Sequence, residues 1–179
     1  SITQATLAGM ALADKADWLI SCDVNLRANL WPDNKPNKAR VIDWMMQAHV
    51  IKASLEELTE LTDEPMALIK QTLAQKAQVF VLTDGANNVR YFTQTMTGEV
   101  ATPKVDVKDT TAAGDAFVGG LLSQLIERAP TVEACSVLDE TNWTNILQFA
   151  VASGACAVTE FGAYPALPNR QQVVEMLKK

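Results

Sequence analysis

Two short apolar runs, residues 49–53 and 79–83, are separated by signals for helix, and this alternation constrains the fold more than any other feature of the chain. Between them, Ser54-Leu55-Glu56-Glu57 reads as a capping box opening a helix to Leu61, and Pro65 suits the first turn of a second helix running to about Gln75. Strands that alternate with helices pack as an α/β layered fold in which helices flank a mainly parallel sheet. The pattern extends in both directions. It predicts a helix over residues 4–15, a buried strand over 18–23, an irregular turn holding Pro32 and Pro36, and a helix over 38–47. Residues 89–93 and 99–102 read as a small hairpin, residues 143–158 as a helix with a face of small side chains (Ala150, Ala152, Gly154, Ala155), and 170–177 as a last helix. Residues 129–141 carry no clear period. No repeat or low-complexity linker divides the chain, so residues 1–179 are expected to form one domain.

Chemistry concentrates in Asp109-Thr110-Thr111-Ala112-Ala113-Gly114-Asp115-Ala116-Phe117, reached through residues 105–107. Small residues lead directly into a helix whose apolar positions Phe117, Val118, Leu121, Leu122 and Leu125 recur at helical spacing. Ala112, Ala113 and Gly114 let backbone N–H groups approach an anion closely, and a helix N-terminus favours one there. Asp115 places a carboxylate at the edge of that cradle. Phosphoryl transfer to an alcohol needs both parts, fixed donors for the charge on the moving oxygens and an acceptor for the hydroxyl proton. The same residues also suit a plain helix start with Asp in its first turn.

Composition narrows the class. The chain is 48% hydrophobic and 20% charged, enough to bury a core, and its net charge of −6 without a basic stripe argues against a nucleic-acid partner. No apolar run reaches the length of a membrane span. Cys22, Cys135 and Cys156 lack metal-ligand or CxxC spacing and read as buried thiols of a reducing, cytoplasmic compartment. His49, the single histidine, lies in an apolar strand and reads as structural. No GxGxxG follows the first predicted strand, which argues against a dinucleotide-dependent dehydrogenase.

The signature resembles the DTxGAGD motif of the ribokinase-like (PfkB) family of carbohydrate kinases, with Ala112 in place of a glycine. Three other blocks fall in the family's order: Asp23-Val24-Asn25-Leu26-Arg27 with Trp31 beyond it, Lys52-Ala53-Ser54-Leu55-Glu56-Glu57-Leu58, and Phe161-Gly162-Ala163-Tyr164-Pro165-Ala166-Leu167-Pro168. The first looks most like the fructokinase branch, with 2-keto-3-deoxygluconate and aminoimidazole riboside kinases close behind. The resemblance implies a ribokinase-like fold whose N-terminal part, bearing the sugar-reading side chains and lid, is absent. The ligands it implies are ATP and a small sugar, fructose first, with Mg²⁺ and a K⁺ ion as cofactors.

By the same resemblance Asp115 is the general base, and the amides of Ala112, Ala113, Gly114 and Asp115 form the anion hole. Asn25 and Arg27 lie at the phosphate end of the cleft, Thr83 and Gly85 in the loop beside the ATP phosphates, and Asn142 with Ala152 and the 161–166 loop, including Gly162, on the adenine side. Asn88 stands where a second loop glycine is usual, a place its tolerance of left-handed backbone would suit. Glu57 matches a Glu that helps hold Mg²⁺ through water, although Ser54 replaces the usual Asn and the capping box explains both residues without a metal. A K⁺ site would draw on Asp109 and backbone oxygens of Thr111, Ala157, Glu160 and Gly162, with Ala166 where some members have Ser. An isolated chain of this kind is expected to bind nucleotide with little turnover and to self-associate through its exposed apolar surface.

Overall fold

A computed structural model describes residues 2–178. Two layers of helix enclose a five-stranded sheet whose strand order is the order of the sequence, β1-β2-β3-β4-β5. β1 (Ser21–Asp23), β2 (Val50–Ser54) and β3 (Val79–Thr83) run parallel, whereas β4 (Val89–Phe92) and β5 (Thr97–Val100) add antiparallel pairings. Thr97 and not Glu99 opens the second arm of the hairpin, and β4 pairs on both edges, so residues 84–88 are themselves a hairpin turn.

Alternation along β2 and β3 decides which helices each face receives. Val50, Val79 and Val81 join the cluster built on α5 (Ala113–Arg128) and α7 (Glu140–Ala157), with Phe117, Leu121, Leu125, Trp143 and Ile146. Ile51, Ala53, Phe80 and Leu82 enter the opposite cluster with Met45 of α2 (Lys38–Met45), Leu58 and Leu61 of α3 (Leu55–Leu61), and Leu68, Ile69 and Leu73 of α4 (Pro65–Gln75). The side-chain period of two in a strand thus makes two cores from one apolar run.

Local signals act as their chemistry requires. Ser54 Oγ accepts the Glu57 N–H while the Glu57 carboxylate accepts the Ser54 N–H, the reciprocal capping box at the start of α3. Pro65 occupies the first turn of α4. In the segment without a clear period, Thr131 caps the short α6 (Val132–Ser136) and Asp139 caps α7, which therefore begins three residues earlier than its apolar pattern. α8 (Arg170–Met176) packs on α7, and Arg170 pairs with Glu127 of α5.

Other expectations change. The strand predicted from residue 18 begins at Ser21; Trp18 is 64% exposed and meets Thr131 in an isolated bridge. α1 (Ile2–Lys15) buries no residue at all. Among the three cysteines only Cys135 is fully buried, Cys22 and Cys156 being half-buried, and none is in a disulfide. Burial pushes the Cys135 thiol up to about 12 and that of Cys22 to about 11, keeping both protonated.

Candidate functional site

The carboxyl ends of β1, β2 and β3 bring Asp23, Lys52 and Thr83 to one edge of the sheet, where the N-terminus of α5 meets them. α/β folds present ligand contacts at such edges. Beside this edge lies a cavity of about 500 Å³. Its lining includes Lys52, Thr83, Gly85, Ala113 and Gly114 together with the apolar Val105, Val107, Val151, Ala155 and Val158. Ala112, the N-cap of α5, keeps φ at −104°, so alanine serves there without strain. Asp115 is exposed in the first turn of the helix.

Asp109 fixes the cradle from outside. Its Oδ1 accepts the Thr111 N–H at 2.9 Å and the Thr111 hydroxyl at 2.5 Å, and its Oδ2 accepts the Gly162 N–H at 2.8 Å. The Lys108 N–H donates to the Val158 carbonyl at 2.8 Å, a second tie between the same two loops. The Thr111 hydroxyl, then the Gly162 and Thr111 amides, hold the Asp109 carboxyl below its ordinary range. Residues 109–111 and 157–162 therefore meet although the sequence separates them by about fifty residues. Gly162 adopts φ +88°, a backbone that other residues rarely reach.

Glu57 is committed to the backbone. Oε1 accepts the Leu26 N–H at 2.7 Å and Oε2 the Ser54 N–H at 2.7 Å, so this carboxylate ties the turn after β1 to the start of α3. Asn25, in that turn, adopts φ +39°, and both it and Arg27 are exposed. Asp23 pairs with Lys52, Nζ to Oδ1 at 3.0 Å, and not with Arg27. Burial first, with Glu57 and Asp115 adding through space, raises the Asp23 carboxyl above its ordinary range against the lowering effect of Lys52. No group of three His, Cys, Asp or Glu side chains that could hold a metal occurs among the described residues.

Two expectations are corrected. Asn142 does not line the cavity: it stands in the first turn of α7, its side chain donating to Asp139 at 2.7 Å, about 18 Å along the helix from Gly154 at a rise of 1.5 Å per residue. Asn88 needs no left-handed backbone; its side chain instead donates to Glu99 across the hairpin at 3.2 Å. The small face of α7 serves packing and cavity together. A Cβ on Gly154 would lie 3.2 Å from the Ala113 carbonyl, so its absence brings α7 against the cradle, while Gly154 and Ala155 also line the void. Lys52 is the residue that sequence reasoning passed over, although a charge inside an apolar strand signals a partner or a ligand.

A helix N-terminus with a carboxylate in its first turn, set at the carboxyl edge of a parallel sheet and opening on an apolar cavity, is the arrangement of a ligand-binding α/β protein. Family comparison agrees: a model described as pfkB family carbohydrate kinase matches residues 3–170, and the chain belongs to that family. It is 38% identical over 176 residues to a probable fructokinase-7 of Arabidopsis thaliana, covering 96% of this chain and 50% of that protein. A fructokinase of Xylella fastidiosa with bound ATP superposes with a TM-score of 0.93 at 36% identity, over 99% of this chain and 57% of the other. A fructokinase double mutant of Vibrio cholerae O395 in its fructose-, ADP- and potassium-bound form gives a TM-score of 0.83 at 30% identity, over 97% and 55%. The chain thus spans about half the length of the curated relatives it matches.

Proposed function

We propose that this chain supplies the nucleotide site, anion hole and base of an ATP-dependent sugar kinase acting on fructose. The observation that carries the reading is the junction of three features: the α5 N-terminus, the exposed Asp115 within its first turn, and the cavity that begins at Ala113 and Gly114. The apolar lining of the cavity suits a nucleobase and the amides of residues 112–115 suit phosphoryl oxygens. Asp115 takes the proton of the sugar hydroxyl as that oxygen bonds to the γ-phosphorus, the bond from phosphorus to the β-phosphate oxygen breaks, and ADP leaves. Positioning and charge stabilisation, more than covalent chemistry, lower the barrier. Similarity to fructokinases favours fructose over 2-keto-3-deoxygluconate or aminoimidazole riboside. We assign the sugar-reading side chains to the part of the family fold that this chain does not span.

Two cations accompany the reading. Glu57 has one lone pair left on each carboxylate oxygen beyond its two amides, which fits Mg²⁺ held through water and nucleotide phosphates better than a protein cage. Bound there, Mg²⁺ would neutralise phosphate charge. The joined loops at Asp109, Thr111, Ala157, Glu160 and Gly162 offer an acceptor-rich seat for K⁺, the ion present in the Vibrio cholerae structure. A second reading, a nucleotide-binding fragment without turnover, draws on the chain's span of about half its relatives' length.

A coupled ADP-release assay over a panel of sugars tests the reading on a version of the protein at family length. Fructose-dependent turnover that falls by roughly 10²–10⁴ in kcat on Asp115→Asn, with ATP affinity little changed, is the expected result. Unchanged kcat would reduce Asp115 to a helix-dipole residue.

A further inference from the structure

We propose that Arg170, clasped by Glu127, is a positioning residue for the nucleotide cavity and fixes from outside the loop over residues 158–169, an inference that rests on the nucleotide-binding reading above. That loop leaves α7 at Val158, which lines the cavity, and enters α8 at Arg170. Its near half is tied to the cradle. The Lys108 and Asp109 N–H groups both donate to the Val158 carbonyl, Lys108 pairs with Glu160 at 3.7 Å, and Asp109 holds Gly162. The far half differs. Among the described residues, the hydrogen bonds of 163–167 are internal, Ala166 N–H to the Ala163 carbonyl and Leu167 N–H to that of Tyr164, and Tyr164 is 85% exposed. The course of that half is therefore set by where α8 begins.

Burial alone fixes α8 poorly. Of its seven residues only Val173 is buried, so polar contacts decide where the helix sits. Arg170 makes them. Its two terminal nitrogens donate to the two oxygens of Glu127, a fork that a lysine cannot form, and its guanidinium lies 5.7 Å from the centre of the Phe149 ring of α7. Gln124, 3% exposed, donates to Glu127 at 3.3 Å and accepts from Arg128 at 3.2 Å. Hydrogen bonding from Arg170, first among its neighbours, holds the Glu127 carboxyl below its ordinary range. These contacts close a ring. α5 starts at the cradle and carries Glu127 near its end; Glu127 holds α8, the loop before α8 returns to Gly162, and Asp109 ties Gly162 back to the cradle. Glu127 stands about 18 Å along α5 from Asp115 at a rise of 1.5 Å per residue. A shift of α8 at that distant end is thereby passed to the loop whose near half walls the cavity. A lone exposed ion pair is worth little, but this one is bidentate, stacked on a ring and in series with the Asp109 clasp.

Amide hydrogen exchange by NMR and titration calorimetry with ATP on the 179-residue chain test this, with circular dichroism and melting as folding controls. Arg170→Met should speed exchange of the Gly162 amide about tenfold and weaken ATP about threefold to tenfold, and Arg170→Lys should recover part of both. Glu127→Gln should act like Arg170→Met, and the double variant no more strongly than either, because both changes open the same contact. Side chains 61% and 45% exposed carry little of the core, so the melting temperature should shift by no more than about 4 °C. Faster exchange confined to α8, or a folded Arg170→Met chain that binds ATP like the wild type, would overturn the assignment. Should Arg170→Met fail to fold, Glu127→Gln decides by the same two readouts. A wild-type chain that binds no nucleotide overturns the nucleotide reading itself; Gly162 exchange in Arg170→Met, faster or unmoved, then sustains or overturns the clasp by itself.

Discussion

α1 and α7 are both long, apolar-rich helices, yet they live in opposite environments. α7 buries nine of its 18 residues, among them Trp143 at 1% exposure, whereas α1 buries none of its 14, and Ile2, Leu7 and Leu12 are 44–88% exposed. α7 packs against both α5 and the sheet because both neighbours present small or apolar surface to it. A Cβ on Gly120 would come within 2.5 Å of Ser153 Oγ and 3.1 Å of the Ala150 Cα, so α5 has no room for a side chain there. α1 is tied to the rest of the molecule through contacts such as the Asp14–Lys76 ion pair and the backbone bonds around Trp18 and Ile20, none of which buries its apolar face. Amphipathicity specifies which face would be buried; only a neighbour buries it.

The strongest way to break this contrast is Trp143→Ala, which removes the largest side chain of the α7 core and should cost about 3–5 kcal/mol in urea unfolding. A cost below about 1 kcal/mol would mean that the core around α7 relaxes as freely as the surface of α1. Gly120→Ala tests the helix contact itself. Its methyl must displace Ser153 or part the helices, with an expected loss of about 1–3 kcal/mol and, through Gly154 and Ala113, a distorted cavity that should weaken the proposed ATP binding. If Gly120→Ala is neutral in both melting and ATP titration, α5 and α7 are not held as closely as their backbones indicate.

The junction between the two regions should respond to pH. His49 is buried at the start of the second strand, and its Nδ1 accepts the Ile20 N–H at 3.0 Å, joining the segment after α1 to the sheet. Burial, and then Lys76, lowers its pKa below the ordinary 6.5, against smaller opposing effects of Asp14 and Asp17. The unfolded chain then binds the proton more readily than the folded one. Stability from neutral His49 is therefore complete above about pH 6.5 and declines as pH falls through the lowered folded value, with a slope of at most about 1.4 kcal/mol per pH unit. Replacing His49 by Gln should flatten that part of the stability curve; an unaltered slope would place its origin elsewhere.

The smallest effect belongs to α1. Leu12→Ser, at a position 65% exposed, should change stability by less than about 0.5 kcal/mol. Light scattering sharpens the point, because the exposed face of α1 and edge strand β1 are the surfaces through which copies would associate. Less association in the Leu12→Ser chain supports that face as the contact, and unaltered association removes it.

Legibility followed the range of the interaction. The capping box at Ser54, the proline start at Pro65, the strands at 49–53 and 79–83 and the small-residue entry to α5 are local in sequence, and each formed where its chemistry placed it. Trp18 reads as buried because it is apolar and precedes a strand, but burial needs a covering surface and none of the described residues provides it. Asn142 reads as an adenine contact by its place in a motif order, yet the length of α7 carries it to the far end of the helix. Lys52 escaped notice because its strand is apolar and its partner, Asp23, lies 29 residues away.

By itself, then, the sequence determined the alternation of elements, the parity that splits β2 and β3 between two cores, the helix caps and the cradle with Asp115. Those depend on backbone periodicity and on hydrogen bonds between near neighbours. The tertiary structure alone decided that Asp109 clasps Gly162, that Glu57 accepts the Leu26 and Ser54 amides, that Gly120 admits α7, and that Lys52 pairs with Asp23 across adjacent strands. These rest on distances between segments remote in sequence, which only the packing of the sheet between its two helical layers sets.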